Sequence, residues 1–432
     1  MATRSDRSLT RRDVLATGAA MALAGVAPRA AAAPGAASPP GAAPGPAADG
    51  PPVAGAAAAM PADADALWAR FCDALRPLVG RLDPTLSAGD PVTQVEGVRC
   101  LARLVALGLD RFVEHADPRH PSFYELQTAT RKYLGDNPDQ TYRVAAVDGR
   151  GTYRVRGTVA GAAGVEIGVY AGTFQSGAKG GGGRRLVASR DEGTLRVADD
   201  GAFDVTLGPE PGGAGHLQTE PDANSLLVRT YFWDRALRVA HPMPTIERLD
   251  VAEPPAPLDL ATLARGMLAT AAFVDGSLAF WSGFEGIRTA PNTMIEMPDD
   301  GSVQTPSGVR YRNGIVELDA SQALVLELAP RDEPAYWSFV LQNLWGETPD
   351  WRHHPVVRNN RELVRAGDGR VRIVVAHRVP AIDALPPALR ANWMDMAGHR
   401  RLLLSLRWRS RTGLPEVTTR VVPVETLASL AS

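Results

Sequence analysis

Short β-type runs, each bounded by turn residues, are the feature that most constrains the fold of this chain. The first block contains seven such runs, at 142–147, 153–159, 165–170, 186–189, 194–197, 202–207 and 226–233. The second block contains seven more, at 308–312, 314–318, 323–328, 336–344, 370–377, 402–409 and 418–424. No strand–helix–strand alternation links the runs, which disfavours a doubly wound parallel sheet. The pattern predicts two antiparallel domains of the β-sandwich or jelly-roll type.

Apolar residues at helical spacing precede the first β block and return between the two blocks. Residues 61–135 predict two amphipathic helices and a shorter third helix around Tyr133. Pro77 should end the first helix, since proline lacks the amide donor that the next turn needs. The resulting fold class is mainly β, and α+β overall. The predicted domains are a helical segment at 61–135, a first β-sandwich at 136–255, a helical connector at 256–290 and a second β-sandwich at 291–432.

The first 32 residues have the pattern of a twin-arginine export signal. Arg11 and Arg12 are followed by a polar residue and two apolar ones, and the apolar stretch at 14–27 is shorter than the about 20 residues that span a bilayer. Residues 33–60 are almost entirely Ala, Pro and Gly, a composition that cannot offset the entropy of ordering a chain. We therefore expect passage through the twin-arginine translocase to the periplasm or the exterior, a disordered tether, and no stable membrane span after cleavage.

Charge and cysteine content exclude some partners and leave others open. The net charge is −2 and no long basic run is present, so a nucleic-acid partner is not expected. The sequence identifies no cofactor, and it lacks the H-E-x-x-H and paired C-x-x-C patterns of zinc sites, so no metal ligand is assigned. Cys72 and Cys100 fall on the first two predicted helices, where either a disulfide or two buried thiols is possible.

The stretch 392–399 (NWMDMAGH) is the most concentrated polar cluster in the chain and comes just before a hydrophobic strand. Asp395 and His399 are four residues apart, within reach of each other if the segment makes one helical turn. A carboxylate that orients an imidazole is the minimal machinery for proton transfer. The alternative is structural, with Asn392 in a turn and Trp393 closing the end of the sandwich.

Several motifs resemble the bacterial domain of unknown function 1214. They are Asn137-Pro138-Asp139, the run 224–234 (NSLLVRTYFWD), Trp345, the stretch 392–399 and Arg407-Trp408. The match is strongest over 300–425, and the first block resembles the β-rich region that often precedes that domain. The resemblance implies a two-part β-sandwich or jelly roll, and it implies no assigned activity.

Three functions remain open on these residues. The first is an envelope protein that binds a sugar or lipid-like ligand in a cleft near Trp345, Asn392 and Trp393. The second is an exported hydrolase or lyase in which His399 acts as general base, Asp395 orients it and Arg407 stabilises an anion. The third is a structural envelope component.

Overall fold

The computed structural model describes residues 60–172, 184–298, 308–377 and 385–429. They belong to one compact unit that begins at Met60. The predicted export signal at 1–32 lies outside the described residues, as does all of the predicted tether before Met60. The protein is mainly β, as predicted: helices lie beside two successive groups of antiparallel strands.

The first two predicted helices form, and each starts at an aspartate. Helix α1 is Ala64–Leu75, and the Asp63 side chain accepts a hydrogen bond from the Ala66 amide at 2.8 Å. Helix α2 is Pro91–Leu109, capped in the same way by Asp90. These aspartates satisfy amides that have no partner inside the helix. Helix α1 ends just before Pro77, as predicted.

The third predicted helix does not form. The segment around Tyr133 consists of turns, and its preceding part, Tyr124–Glu125, is a short strand. Leu126 and Tyr133 do enter the core, but they do so from extended and turn backbone. Helical spacing of a few apolar residues was therefore not sufficient to identify a helix here.

Three further α-helices lie in the described chain, besides short 3-10 and π-helical turns. They are α3 at Arg235–Ala240, α4 at Leu260–Ser282 and α5 at Pro387–Ala391. Among the described residues, α4 is the one helix long and apolar enough to cross a membrane by length and composition. It is also a core helix, because 56% of its most apolar window is buried inside the protein and it packs against α2.

The first sandwich consists of nine strands in two sheets. The strands β1–β9 are Tyr124–Glu125, Gln140–Ala146, Tyr153–Thr158, Gly164–Ala171, Arg185–Asp191, Ala202–Gly208, His216–Gln218, Ala223–Tyr231 and Thr245–Arg248. Sheet 1 has the order β1-β2-β8-β4-β5, and sheet 2 has the order β7-β6-β3-β9. The predicted run at 194–197 is not a strand: Val197 makes one isolated bridge with Phe203.

The second sandwich also consists of nine strands in two sheets. The strands β10–β18 are Ile295–Glu296, Arg310–Glu317, Gln322–Leu328, Trp337–Gln342, Val357–Asn359, Val371–Ala376, Trp393–Asp395, Arg401–Trp408 and Val417–Pro423. Sheet 3 has the order β10-β11-β17-β13-β14, and sheet 4 has the order β16-β15-β12-β18. The two runs predicted at 308–312 and 314–318 form the single strand β11.

The two sandwiches have the same topology. Adding nine to each strand number converts sheet 1 into sheet 3 and sheet 2 into sheet 4. The match includes the one parallel pair in each sandwich, β6 with β7 and β15 with β16. The described chain is therefore a tandem repeat of one β-sandwich, and each residue near the middle of a sheet has a structural equivalent in the other repeat.

Three hydrophobic cores hold the repeat together. One lies between sheets 1 and 2 and another between sheets 3 and 4. The third joins the outer faces of sheets 1 and 3 to helices α2 and α4, with Tyr142, Leu227, Ile315, Leu403 and Trp281 among its members. Sheets 1 and 3 are consequently buried on both faces, and the polar residues of their outer faces lie inside the protein.

Candidate functional site

A tyrosine and an arginine lie directly opposite each other at the same place in each repeat. In sheet 1, Tyr142 of β2 is opposite Arg229 of β8. In sheet 3, Tyr311 of β11 is opposite Arg407 of β17. Both arginines are buried, although strand residues of this kind usually face water in an antiparallel sheet.

These residues line a cavity of about 180 Å³ between the outer faces of sheets 1 and 3. The end of α2 and the C-terminal end of α4 contribute to its wall. Its arginines are Arg111, Arg184, Arg229, Arg407 and Arg409, and its tyrosines are Tyr133, Tyr142, Tyr231, Tyr311 and Tyr336. No aspartate or glutamate is among the described residues that line it. The wall is therefore strongly cationic and rich in hydroxyl donors.

The two equivalent arginines differ in their carboxylate partner. Arg229 is beside Glu166 of β4, with 3.2 Å between the guanidinium and the carboxylate. Burial raises the pKa of Glu166, and the Arg229 guanidinium opposes that shift. The residue beside Arg407 in the equivalent strand β13 is Ser338. Among the described residues, Arg407 forms no ion pair with a carboxylate.

Arg407 is held in place by the backbone instead. Its Nη2 donates to the carbonyl oxygens of Gly135 and Asp136, and its guanidinium lies 5.7 Å from the centre of the Tyr311 ring. Its Nε is buried and has no protein partner among the described residues. An unpaired buried cation costs several kcal/mol of desolvation in an apolar environment. Such a group is stabilised when an anion binds next to it.

The same part of the cavity contains another polar atom without a hydrogen-bond partner among the described residues, and it has an apolar wall. The Oδ1 of Asn313, two residues from Tyr311, is buried without a described partner. Trp281 stacks on Phe284 with their ring centres 5.0 Å apart, and its indole nitrogen donates to the Leu344 carbonyl oxygen at 2.8 Å. The indole nitrogen is thus occupied, and both rings present carbon surface to the cavity.

Burial keeps Tyr142 and Tyr231 of the cavity wall protonated. It raises the pKa of both well above the usual value, and the nearby Arg407 and Arg409 guanidinium groups only partly oppose this. At neutral pH these two side chains are therefore hydrogen-bond donors and not bases. The described residues that line the cavity include donors and cations but no carboxylate or imidazole that could accept a proton.

The predicted Asp395–His399 pair does not form, because the segment is a short strand, β16, followed by a turn and not a helical turn. Asp395 contacts His354 instead, with 2.7 Å between Oδ2 and Nδ1. His399 is buried and its Nε2 lies 2.9 Å from the Glu96 carboxylate of α2. Burial lowers the pKa of His399, but the hydrogen bond to Glu96 and the charge of that carboxylate outweigh burial, so the pKa is raised. The two groups that the second functional hypothesis required together are therefore in separate places.

The three predicted ligand-binding residues are used in packing. Trp345 is buried against Gly97 and donates to the Thr93 carbonyl oxygen at 2.7 Å, which fixes helix α2 to the second sandwich. Asn392 is fully buried and makes three hydrogen bonds to backbone groups of Val364 and Arg372. Trp393 packs beside β12 and β15 at the end of the sandwich. None of these three side chains lines the cavity.

A second depression of about 260 Å³ lies beside His353 and His354. Three side chains around it are paired with carboxylates: Arg352 with Asp350, Arg235 with Asp139, and His354 with Asp395. A fourth, Arg358, is half-buried and its Nε has no protein partner among the described residues. The described residues contain no group of three or more His, Cys, Asp or Glu side chains that could hold a metal ion. Cys72 and Cys100 are free thiols.

Of the six residues assigned to the binding and catalytic hypotheses, Arg407 is the one that the structure places in the cavity. Sequence reasoning missed Arg229, Tyr142, Tyr311 and Asn313. The signal that could have found Arg229 is the alternation within β8 and β17, where Ser225 and Arg229, like Ser405 and Arg407, share one face of the strand, although Leu227 and Leu403 lie on that face too. That alternation is also the pattern of a sheet with one face in water, so the sequence did not distinguish a cavity from a surface.

Fold and cavity define a class: a tandem β-sandwich protein whose two five-stranded sheets enclose a cationic, tyrosine-rich cavity. The chain belongs to the same family as an uncharacterised protein from Burkholderia cenocepacia of known crystal structure. The two are 32% identical with a TM-score of 0.73, and the match covers 84% of this chain and 98% of that one. A solved protein from Vibrio parahaemolyticus is 10% identical with a TM-score of 0.44, over 73% of this chain and 95% of that one.

The other comparisons give no match. No family model matches the chain. No curated protein matches it either. The resemblance to the domain of unknown function 1214 therefore stays a prediction that rests on its motifs.

Proposed function

We propose that this protein is an exported ligand-binding protein whose inter-sheet cavity takes a small organic anion with an apolar body, such as a medium-chain carboxylate. The observation that carries the proposal is Arg407, a buried guanidinium that faces the cavity where the other repeat has an arginine neutralised by Glu166. A lipid-like acid fits this wall better than a sugar, because a neutral sugar leaves the cationic charge uncompensated.

The size of the cavity supports a small ligand. A volume of about 180 Å³ is below the roughly 300–1,000 Å³ of pockets that hold drug-sized molecules. The carboxylate would accept hydrogen bonds from Arg407, and the chain would lie along Trp281 and Phe284. The chemistry of the wall favours binding over catalysis, since it offers donors and cations but no base.

Isothermal titration of the purified protein with octanoate and with neutral 1-octanol tests this proposal. We expect octanoate to bind at least tenfold more tightly, since a charge-assisted hydrogen bond to a buried arginine contributes about 1.5–3 kcal/mol. Arg407→Gln should remove that preference. The matched control is Arg154→Gln, which removes an exposed arginine of sheet 2 and should leave both affinities unchanged. Equal affinity for acid and alcohol in the wild-type protein would contradict the proposal.

Export by the twin-arginine pathway is part of the same proposal and needs its own test. Arg11→Lys combined with Arg12→Lys should retain the protein in the cytoplasm, because paired arginines are the element that this pathway recognises. Cell fractionation of the wild-type and doubly substituted proteins measures it. Unchanged export of the doubly substituted protein would remove the twin-arginine assignment and leave the cavity assignment intact.

A further inference from the structure

The wall of the cavity contains a second group of polar residues, apart from Arg407, around Ser225. Ser225 of β8 is directly opposite Tyr170 of β4 in sheet 1. The Oγ of Ser225 is buried and has no partner among the described residues, although the residue lines the cavity. A buried hydroxyl without a partner is uncommon in a folded protein, and at this place the Ser225 hydroxyl is available to a ligand group in the cavity.

Two arginines face this part of the wall. The Arg184 guanidinium stacks on the Tyr170 ring, 3.9 Å from the ring centre. Arg111, in the turn after helix α2, lines the same cavity and lies over the Phe112 and Phe273 rings at 5.2 and 5.8 Å. Among the described residues, Arg111 forms no ion pair with a carboxylate. Cation–π contacts do not neutralise a charge, so Arg111 leaves positive charge at this place.

The charges here also act on one another. Burial lowers the pKa of Arg184 to about 10, and the neighbouring Arg229 and Arg111 guanidinium groups contribute to that shift. Arg111 and Arg229 therefore add positive charge beside Arg184. We call the three lining residues Arg111, Arg184 and Ser225 the Arg111 subsite.

The two positions lie on either side of Arg229. The Arg229 guanidinium donates to the Tyr170 hydroxyl at 2.9 Å, and Tyr170 is the residue on which Arg184 stacks. On its other side Arg229 is directly opposite Tyr142, the tyrosine on which the Arg407 charge also acts. Arg407 and the Arg111 subsite are therefore two places in the wall with Arg229 between them.

We infer that the ligand is a dianion, with one acidic group at Arg407 and the other at the Arg111 subsite, joined by an apolar chain. An α,ω-dicarboxylate has this chemistry. The inference rests on the proposed function, because it adds a second acidic group to the ligand of the same cavity.

Titration with octanoate and a series of dicarboxylates from hexanedioate to dodecanedioate tests the inference. We expect the best dicarboxylate to bind at least tenfold more tightly than octanoate, with an optimum at the length that spans the two positions. Arg111→Gln should reduce this advantage, which is the ratio of dicarboxylate affinity to octanoate affinity, to less than threefold. Ser225→Ala, a smaller change, should reduce it in the same direction, and Arg154→Gln should leave it unchanged.

The outcomes separate the two proposals. If octanoate binds and no dicarboxylate binds more tightly, the second anionic position is wrong and the first stands. The same conclusion follows if the advantage of the dicarboxylate survives both Arg111→Gln and Ser225→Ala. If neither octanoate nor any dicarboxylate binds, the proposed function fails together with the inference.

Discussion

The two β-sandwiches of this protein have the same strand order but different electrostatics where they face each other. Arg229 and Arg407 are equivalent residues on equivalent central strands, and each is opposite a tyrosine. Glu166 pairs with Arg229, whereas Ser338 stands at the same place beside Arg407. The comparison shows how one fold can be used twice, with the first copy balanced in charge and the second copy left able to bind an anion.

Removing each arginine in turn tests whether Arg229 and Arg407 differ in their electrostatic environment. Arg229→Met should reduce the free energy of unfolding by about 3–5 kcal/mol, because it leaves Glu166 buried without its partner. Arg407→Met should cost only about 1–3 kcal/mol, the usual penalty for leaving a buried carbonyl oxygen unpaired. Urea unfolding of both variants measures the difference. Equal losses would show that the two arginines are not electrostatically distinct.

Substituting Ser338, the residue beside Arg407, tests whether the missing carboxylate is what allows Arg407 to bind an anion. Ser338→Asp places a carboxylate beside Arg407 in the position that Glu166 has beside Arg229, so octanoate affinity should fall by about tenfold or more. Ser338→Asn adds a side chain of the same size without charge and should retain most of the binding. Titration calorimetry on the two variants gives the answer. If both variants lose binding equally, size and not charge is responsible.

Two histidines, the half-buried His241 and the buried His399, give the repeats opposite dependence on pH. Burial, followed by the Arg143 guanidinium, lowers the pKa of His241 in the first repeat to about 4. The pKa of His399 in the second repeat is raised by Glu96, although burial opposes this. A lowered histidine pKa gives stability that is lost as pH falls below about 6.5, and a raised one gives stability that is lost as pH rises through the folded value.

Thermal unfolding followed by circular dichroism at a series of pH values tests this contrast. His241→Asn should weaken the loss of stability on the acidic side, and its Oδ1 can still accept from Arg143. His399→Gln should weaken the loss on the alkaline side, and its amide can still donate to Glu96. Each variant serves as the control for the other. The contrast is wrong if both substitutions change the same side of the pH profile.

The smallest effect is expected on the outer sheets, where the two repeats should be interchangeable. Asp204 pairs with Arg154 on sheet 2, and Glu327 pairs with Arg372 on sheet 4. Ion pairs that water reaches contribute about 0–1 kcal/mol. Asp204→Asn and Glu327→Gln should each change the free energy of unfolding by about 0.5 kcal/mol or less in urea titrations. A loss above about 2 kcal/mol in either variant would show that these sheets are not equivalent.

Much of the fold could be predicted from the sequence because its signals are local. The turn-bounded runs predicted two β blocks, and Pro77 marked the end of helix α1. The errors came where local pattern and long-range pairing compete. The segment around Tyr133 has helical spacing, yet its neighbour Tyr124 pairs with β2 in a sheet. The run at 194–197 has strand composition but only one bridge to the rest of the chain.

The site was much less predictable than the fold. The stretch 392–399 has the composition of a catalytic loop, but Asn392 and Trp393 support the end of the sandwich and His399 fixes helix α2. The cluster of polar residues at 392–399 therefore serves packing and does not form a catalytic site. Arg407 was predicted as an anion-binding residue, and its neighbours in the cavity come from strands far away in the chain.

The sequence by itself determined the β-rich class and the end of helix α1 at Pro77, since these depend on the alternation, propensity and hydrogen bonding of residues close together in the chain. Only the tertiary structure decided that the polar faces of β8 and β17 point toward each other and not toward water. The physical reason is that a strand with alternating polar and apolar residues has the same sequence in both cases. What covers its polar face is determined by packing between residues that are distant in the chain.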